Sequence, residues 1–294
     1  MIPNSILVTN GKGGVGKTSL VANVAGLAAA SGWRTLAIDT DPQGNLARDL
    51  GVLEAADDGT NLHEAILGRT SLAPITSVRD RLDLAPGGPA LDGLTSEIHT
   101  IMARGQYLTA LTLLETALTP ITGDYDLIII DSPPGERALQ TLAARAAHHL
   151  VIPTAPDDCS IDGLGAVFGR FQHLRTEGGN PELNMLGVAL TLTVTQATAV
   201  QRRVRHTLSE LLDDRVEVFA STVRFAQAAA VACRRDGRLA HEYEQVALNA
   251  EPRYATTGPV EAYSRAATGL ASDYQNLTNE ILTAHTNHQL RRPA

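Results

Sequence analysis

The stretch Gly11-Lys12-Gly13-Gly14-Val15-Gly16-Lys17-Thr18-Ser19 decides how this chain is read. It fits the pattern G-x-x-x-x-G-K-[ST], in which glycines let consecutive backbone N–H groups converge on phosphate oxygens. In that pattern Lys17 reaches the terminal phosphates and the Thr18 hydroxyl faces Mg2+, so residues Gly11 to Ser19 are the candidate nucleotide-binding loop. Ahead of the loop, Ile6-Leu7-Val8 is a short apolar run of buried-strand type. Behind it, Leu20, Val21, Val24, Leu27 and Ala28 recur at helical spacing. The loop therefore joins a strand to a helix N-terminus, the context a nucleotide site requires.

Lys12 and Lys17 are the only lysines in the chain, against 22 arginines. A composition that otherwise uses Arg keeps Lys where a compact ammonium is needed. The second lysine, in Lys12-Gly13-Gly14-Val15-Gly16-Lys17-Thr18, resembles the deviant Walker A motif of the family containing the ParA and Soj partition ATPases, MinD, the nitrogenase iron protein and the arsenite-pump ATPase. The resemblance implies that Lys12 crosses a dimer interface to phosphates bound by the other subunit. The plainer alternative is a flexible, solvated lysine.

Three further segments fall where that resemblance requires them. Thr35-Leu36-Ala37-Ile38-Asp39-Thr40-Asp41-Pro42-Gln43-Gly44-Asn45 looks like the family's second motif, an apolar strand ending in carboxylates. Carboxylates at the C-terminal end of a parallel strand point into the crevice where a metal and an attacking water would sit. By the family's pattern Asp41 positions the water and Asp39 lies nearer the metal shell; both could also cap the helix starting near Gly44. Tyr125-Asp126-Leu127-Ile128-Ile129-Ile130-Asp131-Ser132-Pro133-Pro134-Gly135 reads as a strand buried on both faces, with Asp131 matching a Walker B aspartate that holds a Mg2+-bound water. Ser132 departs mildly from the family's usual Thr and keeps its hydroxyl. His149-Leu150-Val151-Ile152-Pro153-Thr154 resembles the next central strand, leading to a helix near Ser160.

With 294 residues and 44% apolar content the chain can bury a sizeable core. Strand and helix signals alternate from Ile6 to about Phe219 without a linker. The expected fold is α/β: one domain spanning 1–294, a doubly wound, mostly parallel sheet with helices on both faces. Later strands are expected at Leu82 to Ala85, Met185 to Leu192 and Val216 to Phe219. Helices are expected near Ala103 to Leu118, Gly163 to Thr176 and Ala199 to Leu212. Asp57-Asp58-Gly59 and Pro86-Gly87-Gly88-Pro89 read as surface loops. A C-terminal helix over about 260–285 carries Val260, Tyr263, Ala267, Leu270, Tyr274, Leu277 and Ile281 on one side, with Glu261, Arg265, Asp273 and Glu280 elsewhere, and a short tail follows over 286–294.

Cysteine usage narrows the family. Cys159 and Cys233 lie 74 residues apart, so they form no close metal-ligand pair, and a reduced cytoplasm is expected. The nitrogenase iron protein needs a cysteine just beyond the Walker B strand, where this chain has Ser132-Pro133-Pro134-Gly135. MinD-type proteins end in a basic amphipathic helix that inserts into lipid, and the polar face of the C-terminal helix here lacks the Lys/Arg excess. No stretch approaches the ~18 apolar residues of a membrane span, and no membrane partner is expected.

The net charge of −8 hides an uneven distribution. Between Val200 and Ala240 eight arginines stand against five acids. Arg202, Arg203 and Arg205 open a helix, Arg234, Arg235 and Arg238 cluster around Gly237, and Arg224 lies between. Guanidinium clusters can hold DNA phosphates without reading sequence. The segment from Ser221 through Arg224 to Gly237 also looks like the family's late strand-to-helix region, which partition ATPases use to bind DNA. It lacks the usual Pro, so Arg224 could sit near the nucleotide instead, and the plainer alternative for all of these arginines is a solvated face of an Arg-rich chain.

With no helix-turn-helix ahead of residue 11, sequence-specific repression is not expected. The resemblance implies a ParA/Soj-like ATPase using ATP and Mg2+, a homodimer on ATP binding, nonspecific double-stranded DNA as a surface, a ParB-type centromere-binding partner, and a cytoplasmic, nucleoid-associated location. The alternative is a MinD-like positioning or cargo-assembly ATPase acting on a membrane or protein without DNA. An ATP-dependent ligase or kinase on the same fold fits Lys12 and the Asp41-Pro42-Gln43-Gly44-Asn45 segment less well.

Overall fold

The run Leu127-Ile128-Ile129-Ile130 has no polar side because both of its faces are buried, each residue being 0% exposed. Ile128 and Ile130 belong to the hydrophobic cluster on one face of a sheet, Leu127 and Ile129 to the cluster on the other, as the two-residue period of a strand dictates. The computed structural model describes residues 1–176, 179–195, 197–211, 216–249 and 266–290.

Within them, eight strands form one sheet: β1 (Ser5–Val8), β2 (Thr35–Asp39), β3 (Ile75–Arg79), β4 (Leu82–Ala85), β5 (Leu127–Asp131), β6 (His149–Thr154), β7 (Asn184–Thr193) and β8 (Val218–Arg224). Their spatial order is β3-β4-β2-β5-β1-β6-β7-β8. All neighbours are parallel except β3 and β4. The described helices are α1 (Lys17–Ala30), α2 (Asn45–Asp49), α3 (Thr60–Ile66), α4 (Leu94–Ala103), α5 (Tyr107–Leu118), α6 (Arg137–Ala146), α7 (Asp158–Thr176), α8 (Thr198–Leu211), α9 (Gln227–Asp236), α10 (Ala240–Asn249) and α11 (Ala266–Leu290). Helices α3 to α8 pack on one face through residues such as Leu62, Leu114, Leu142, Phe171 and Leu208. The other face is covered by α1, α2 and α9 to α11, through Leu20, Leu46, Ala229, Ala240 and Leu277. The fold is the doubly wound α/β sheet that the sequence pattern implies.

The differences from the sequence reading have local causes. The helix expected over Ala103 to Leu118 begins only at Tyr107, as α5; Gly105, whose φ of 81° is left-handed, separates it from α4, which the sequence reading did not include. The last strand begins at Val218 and absorbs Ser221 to Arg224. The antiparallel edge strand β3 was not foreseen; Arg79 ties it to Glu242 of α10 by two hydrogen bonds, of 2.5 and 3.0 Å. Pro86, Gly87 and Gly88, read as a surface loop, are buried.

Of the apolar C-terminal stripe, Ala267, Leu270, Tyr274, Leu277 and Ile281 of α11 are buried, while Val260, Glu261, Tyr263 and Arg265 lie outside the described residues. Asp273 and Glu280 of the same helix also face inward. Glu280 accepts the N–H groups of Ala220 and Ser221 at 2.7 and 2.8 Å, and Asp273 that of Arg224 at 2.9 Å. These carboxylates occupy donors of edge strand β8 that would otherwise be open to another chain. No described helix is long and apolar enough to cross a membrane.

Candidate functional site

Three strand ends meet at one crevice. Val8 of β1 is in register with Asp131 of β5, and Asp131 with Asp39 of β2. The glycine loop after β1 therefore adjoins both carboxylates at the carboxyl edge of the sheet, the place where such sheets bind ligands. Gly16 stands immediately before α1 with φ 81° and ψ 24°. The first turn of α1 holds no acid and no side chain caps it, so its backbone donors remain available to an anion.

The loop is held from both sides by side chains that the motif does not include. Asn10, 1% exposed, accepts the Lys12 N–H at 2.9 Å and donates to the Pro153 carbonyl at 2.8 Å. Thr191 of β7 donates to the Val15 carbonyl at 2.8 Å. Nothing in their spacing marks Asn10 and Thr191, because they act across the sheet.

The two lysines diverge. Lys17 is buried, and its Nζ donates to the Lys12 carbonyl at 2.9 Å. Burial lowers its pKa, while the carboxylates of Asp131 and Asp41 act in the opposite direction. Lys12 extends outward, its side chain 40% exposed and its Nζ 2.8 Å from Asp157 Oδ1.

The carboxylates share one buried space. Asp39 accepts the N–H groups of Asp41 at 2.9 Å and Leu46 at 3.0 Å, so it caps α2 as well as facing the crevice. Asp41 accepts the Gln43 N–H at 2.9 Å. Burial raises the pKa of Asp39, and the neighbouring Asp41 and Asp49 add to the rise. Asp131 is raised as well, by burial and then by Asp39, with the Thr18 hydroxyl and Lys17 opposing. Neither Asp131 oxygen makes a well-formed hydrogen bond. Two adjacent buried carboxylates, both driven toward the neutral form and one of them unsatisfied, call for a cation with its own hydrogen-bond donors. A hydrated Mg2+ fits: it carries several waters, which the Asp131 and Asp39 oxygens could accept from, beside the Thr18 hydroxyl.

Gly87 closes the floor of this space. A Cβ there would fall 2.6 Å from the Asp41 carbonyl oxygen, 2.7 Å from that of Asp39 and 2.9 Å from Asp39 Cγ. The glycine pair is buried because it supports the strand end that carries both acids.

A cavity of about 450 Å³ opens from the loop, lined by Gly16, Lys17 and Thr18 at one end and by Val223, Phe225 and Gln227 at the other, which is the size a nucleotide needs. Arg224 and Arg234 also line it. Of the seven arginines expected on a DNA surface, Arg205, Arg224, Arg234 and Arg235 bond groups of the chain itself. Arg224 grips Asp273 through two hydrogen bonds of 2.6 and 2.8 Å. Arg234 bonds Asp49 at 2.7 Å, and Asp49 also accepts the Ser19 hydroxyl at 3.0 Å. Arg205 donates to the carbonyls of Phe219 and Ala220 in β8 at 2.6 and 2.8 Å. Arg202 and Arg203 are exposed on α8; Arg235 pairs with Asp236, and Arg238 follows Gly237.

A phosphate cradle that runs into a carboxylate pair suited to hydrated Mg2+ is the working part of a P-loop ATPase, and this chain is one. Residues 4–185 match the family model described as an AAA domain. The chromosome partitioning protein ParA of Myxococcus xanthus is 33% identical over 202 residues, 68% of each chain. Two solved structures share the fold. A variant of McdA from Cyanothece in complex with ATP superposes with TM-score 0.73 at 19% identity, over 96% of both chains. The septum site-determining protein MinD of Pyrococcus horikoshii with Mg-ADP gives 0.65 at 20%, over 95% of this chain and 96% of that one. The chain belongs to the ParA/Soj family of P-loop ATPases.

Proposed function

We propose that this chain is a DNA-partition ATPase: two copies close over MgATP into a sandwich dimer, the dimer binds double-stranded DNA without sequence preference, and a ParB-type centromere-binding protein stimulates hydrolysis. The observation that carries this reading is the divergence of the two loop lysines. Lys17 lies against its own loop, whereas Lys12 stands at the rim, its side chain 40% exposed and its Nζ against Asp157. A lysine so placed is suited to phosphates brought by a second subunit.

The roles follow from position. Lys17 balances the terminal phosphates, and Lys12 adds charge in trans. Thr18, Asp39 and Asp131 would hold a hydrated Mg2+, which would neutralise charge on the phosphates. Asp41 orients the water whose oxygen bonds to the γ-phosphorus as the bond to the ADP oxygen breaks, yielding ADP and phosphate. The DNA surface consists of Arg202 and Arg203 on α8 with Arg235 and Arg238 at the end of α9; Arg205, Arg224 and Arg234 instead brace β8 and the nucleotide cavity. A dimer presents two such sets along one duplex and gains avidity, so ATP switches binding by assembling the surface.

The test is a salt titration of DNA binding with ATP, with ADP and without nucleotide. If each subunit neutralises about three phosphates, the log–log slope with ATP is near −5. Arg202→Ala/Arg203→Ala lowers that slope equally on unrelated sequences. Binding that ignores nucleotide overturns the DNA reading, and an ATP dimer that never holds DNA leaves a positioning or cargo ATPase.

A further inference from the structure

Four of the nine histidines gather at the end of the sheet opposite the nucleotide. His148 and His149 stand at the amino end of β6, whose carboxyl end carries the loop side of the crevice. His285 and His288 come from the last turns of α11. His148, His149 and His285 are 1%, 0% and 0% exposed. The His148 and His149 rings lie 4.0 Å apart between centroids, and His288 meets them edge-on at 5.6 and 4.8 Å. We propose that His148, His149 and His288 form a binding site for a divalent transition-metal cation of the Zn2+ class, distinct from the Mg2+ position beside ATP.

The geometry is close to that of a ligand set. One nitrogen from each of the three rings lies within 4.8 Å of the others. His149 Nε2 and His288 Nδ1 are 3.0 Å apart, slightly inside the ~3.3 Å edge of a tetrahedron built on Zn–N bonds of about 2.0–2.1 Å. Seating the ion parts that pair by a few tenths of an ångström and draws the His148 ring inward. All three donors are imidazole nitrogens, a set that selects Zn2+, Co2+, Ni2+ or Cu2+ over Mg2+ and Ca2+, which prefer oxygen. A solvent water completes four-coordination.

The surroundings supply the support that metal-bound histidines require. His149 Nδ1 lies 2.8 Å from His285 Nδ1, and His285 Nε2 lies 2.9 Å from the Gln289 amide, which also reaches Asn4 Oδ1 at 2.6 Å. Gln289 donating to His285 Nε2 makes His285 donate to His149 Nδ1, and His149 donate from Nε2 to His288 Nδ1. Metal binding reverses the relay. The His149 proton moves to Nδ1 and is donated to His285 Nδ1, the His285 proton moves to Nε2, and the Gln289 and Asn4 amides turn together, so that Gln289 Oε1 accepts from His285 Nε2 and from Asn4 Nδ2. Neutral rings thus bind the ion without net proton release, and His285 orients a ligand rather than serving as one. The ion would pin the end of α11 to β6, and the same helix lines the nucleotide cavity through Leu270 and Tyr274.

The experiment is calorimetric titration of ZnCl2 into the nucleotide-free full chain in excess Mg2+, with a parallel titration of CoCl2 followed by visible absorption. One Zn2+ per chain with a micromolar or tighter Kd, a tetrahedral Co2+ spectrum and a Tm raised by several degrees are expected. His288→Ala, at a half-buried position, weakens binding more than tenfold; His206→Ala, at an exposed histidine elsewhere, leaves it unchanged. His285→Gln weakens it by about 10–100-fold with the stoichiometry kept. Asp131→Asn, which disables the Mg2+ position, retains full Zn2+ affinity, so this test stands apart from the ATPase reading. Absence of stoichiometric binding to folded wild type, or undiminished affinity in His288→Ala, overturns the proposal.

Discussion

Lys12 Nζ lies 2.8 Å from Asp157 Oδ1 of its own chain, with the two side chains 40% and 47% exposed. The contact holds the rim lysine on its own subunit, and it must open if Lys12 is to reach a partner's phosphates. An exposed pair of this kind contributes at most about 1 kcal/mol. With one pair opening in each subunit, Asp157→Ala is therefore expected to strengthen the ATP-dependent dimer by up to about thirtyfold, measured by sedimentation at several protein concentrations. Lys12→Ala is expected to bind nucleotide yet lose hydrolysis on the scale of a trans-acting charge, about 10³- to 10⁵-fold. Turnover and dimerisation at wild-type levels in Lys12→Ala would remove its trans role.

Binding and chemistry separate at the next two positions. Lys17→Ala loses the buried ammonium of the cradle, and MgATP affinity measured by calorimetry is expected to fall by at least about tenfold. Asp41→Ala keeps the cradle and is expected to retain MgATP affinity, accumulate dimer and hydrolyse slowly. Unchanged affinity in a folded Lys17→Ala variant would contradict the loop assignment.

Gly87→Ala tests the floor of the site. The new Cβ would meet backbone oxygens at 2.6 and 2.7 Å, atoms that cannot swing aside. A destabilisation of about 1–3 kcal/mol is expected, read by denaturant unfolding, together with a hydrolysis defect from displaced Asp39 and Asp41. Gly123→Ala, where a Cβ meets nothing within 4 Å, serves as the tolerant control.

Cys233 lies beside the Arg234–Asp49 pair, and its thiol pKa is pushed up to about 12 by burial and then by Asp236 and Asp49. A raised thiol pKa keeps the group neutral through the physiological range, and the thiolate appears only as pH climbs toward that value. In a Cys159→Ser background, alkylation at pH 8 is expected to be at least about tenfold slower than for an unfolded-chain thiol of pKa ~8.5. Equal rates would show that the pocket wall opens freely.

The nucleotide half of the site was legible because its residues are contiguous. Gly11 to Ser19 sit on one turn, and Asp39, Asp41 and Asp131 end apolar runs whose strand character is local. Asn10, Thr191, Asp49 and Gly87 were not legible as site residues. Each acts through a contact with a distant segment, as Thr191 does in holding the Val15 carbonyl.

The sequence by itself determined the parallel sheet, the cradle and the carboxylates at the strand ends, since periodicity, glycine spacing and the polarity of strand termini are properties of neighbours along the chain. Only the tertiary structure decided what the arginines and histidines do. Arg205, Arg224 and Arg234 have the composition of a basic patch, yet their guanidiniums bond to β8 carbonyls, Asp273 and Asp49. His149 and His288 lie 139 residues apart and meet at 3.0 Å. A charge or an imidazole has no directional preference in sequence; its role is fixed by which partner the packed layers bring within hydrogen-bond distance, and that is settled only when α11 closes over the sheet.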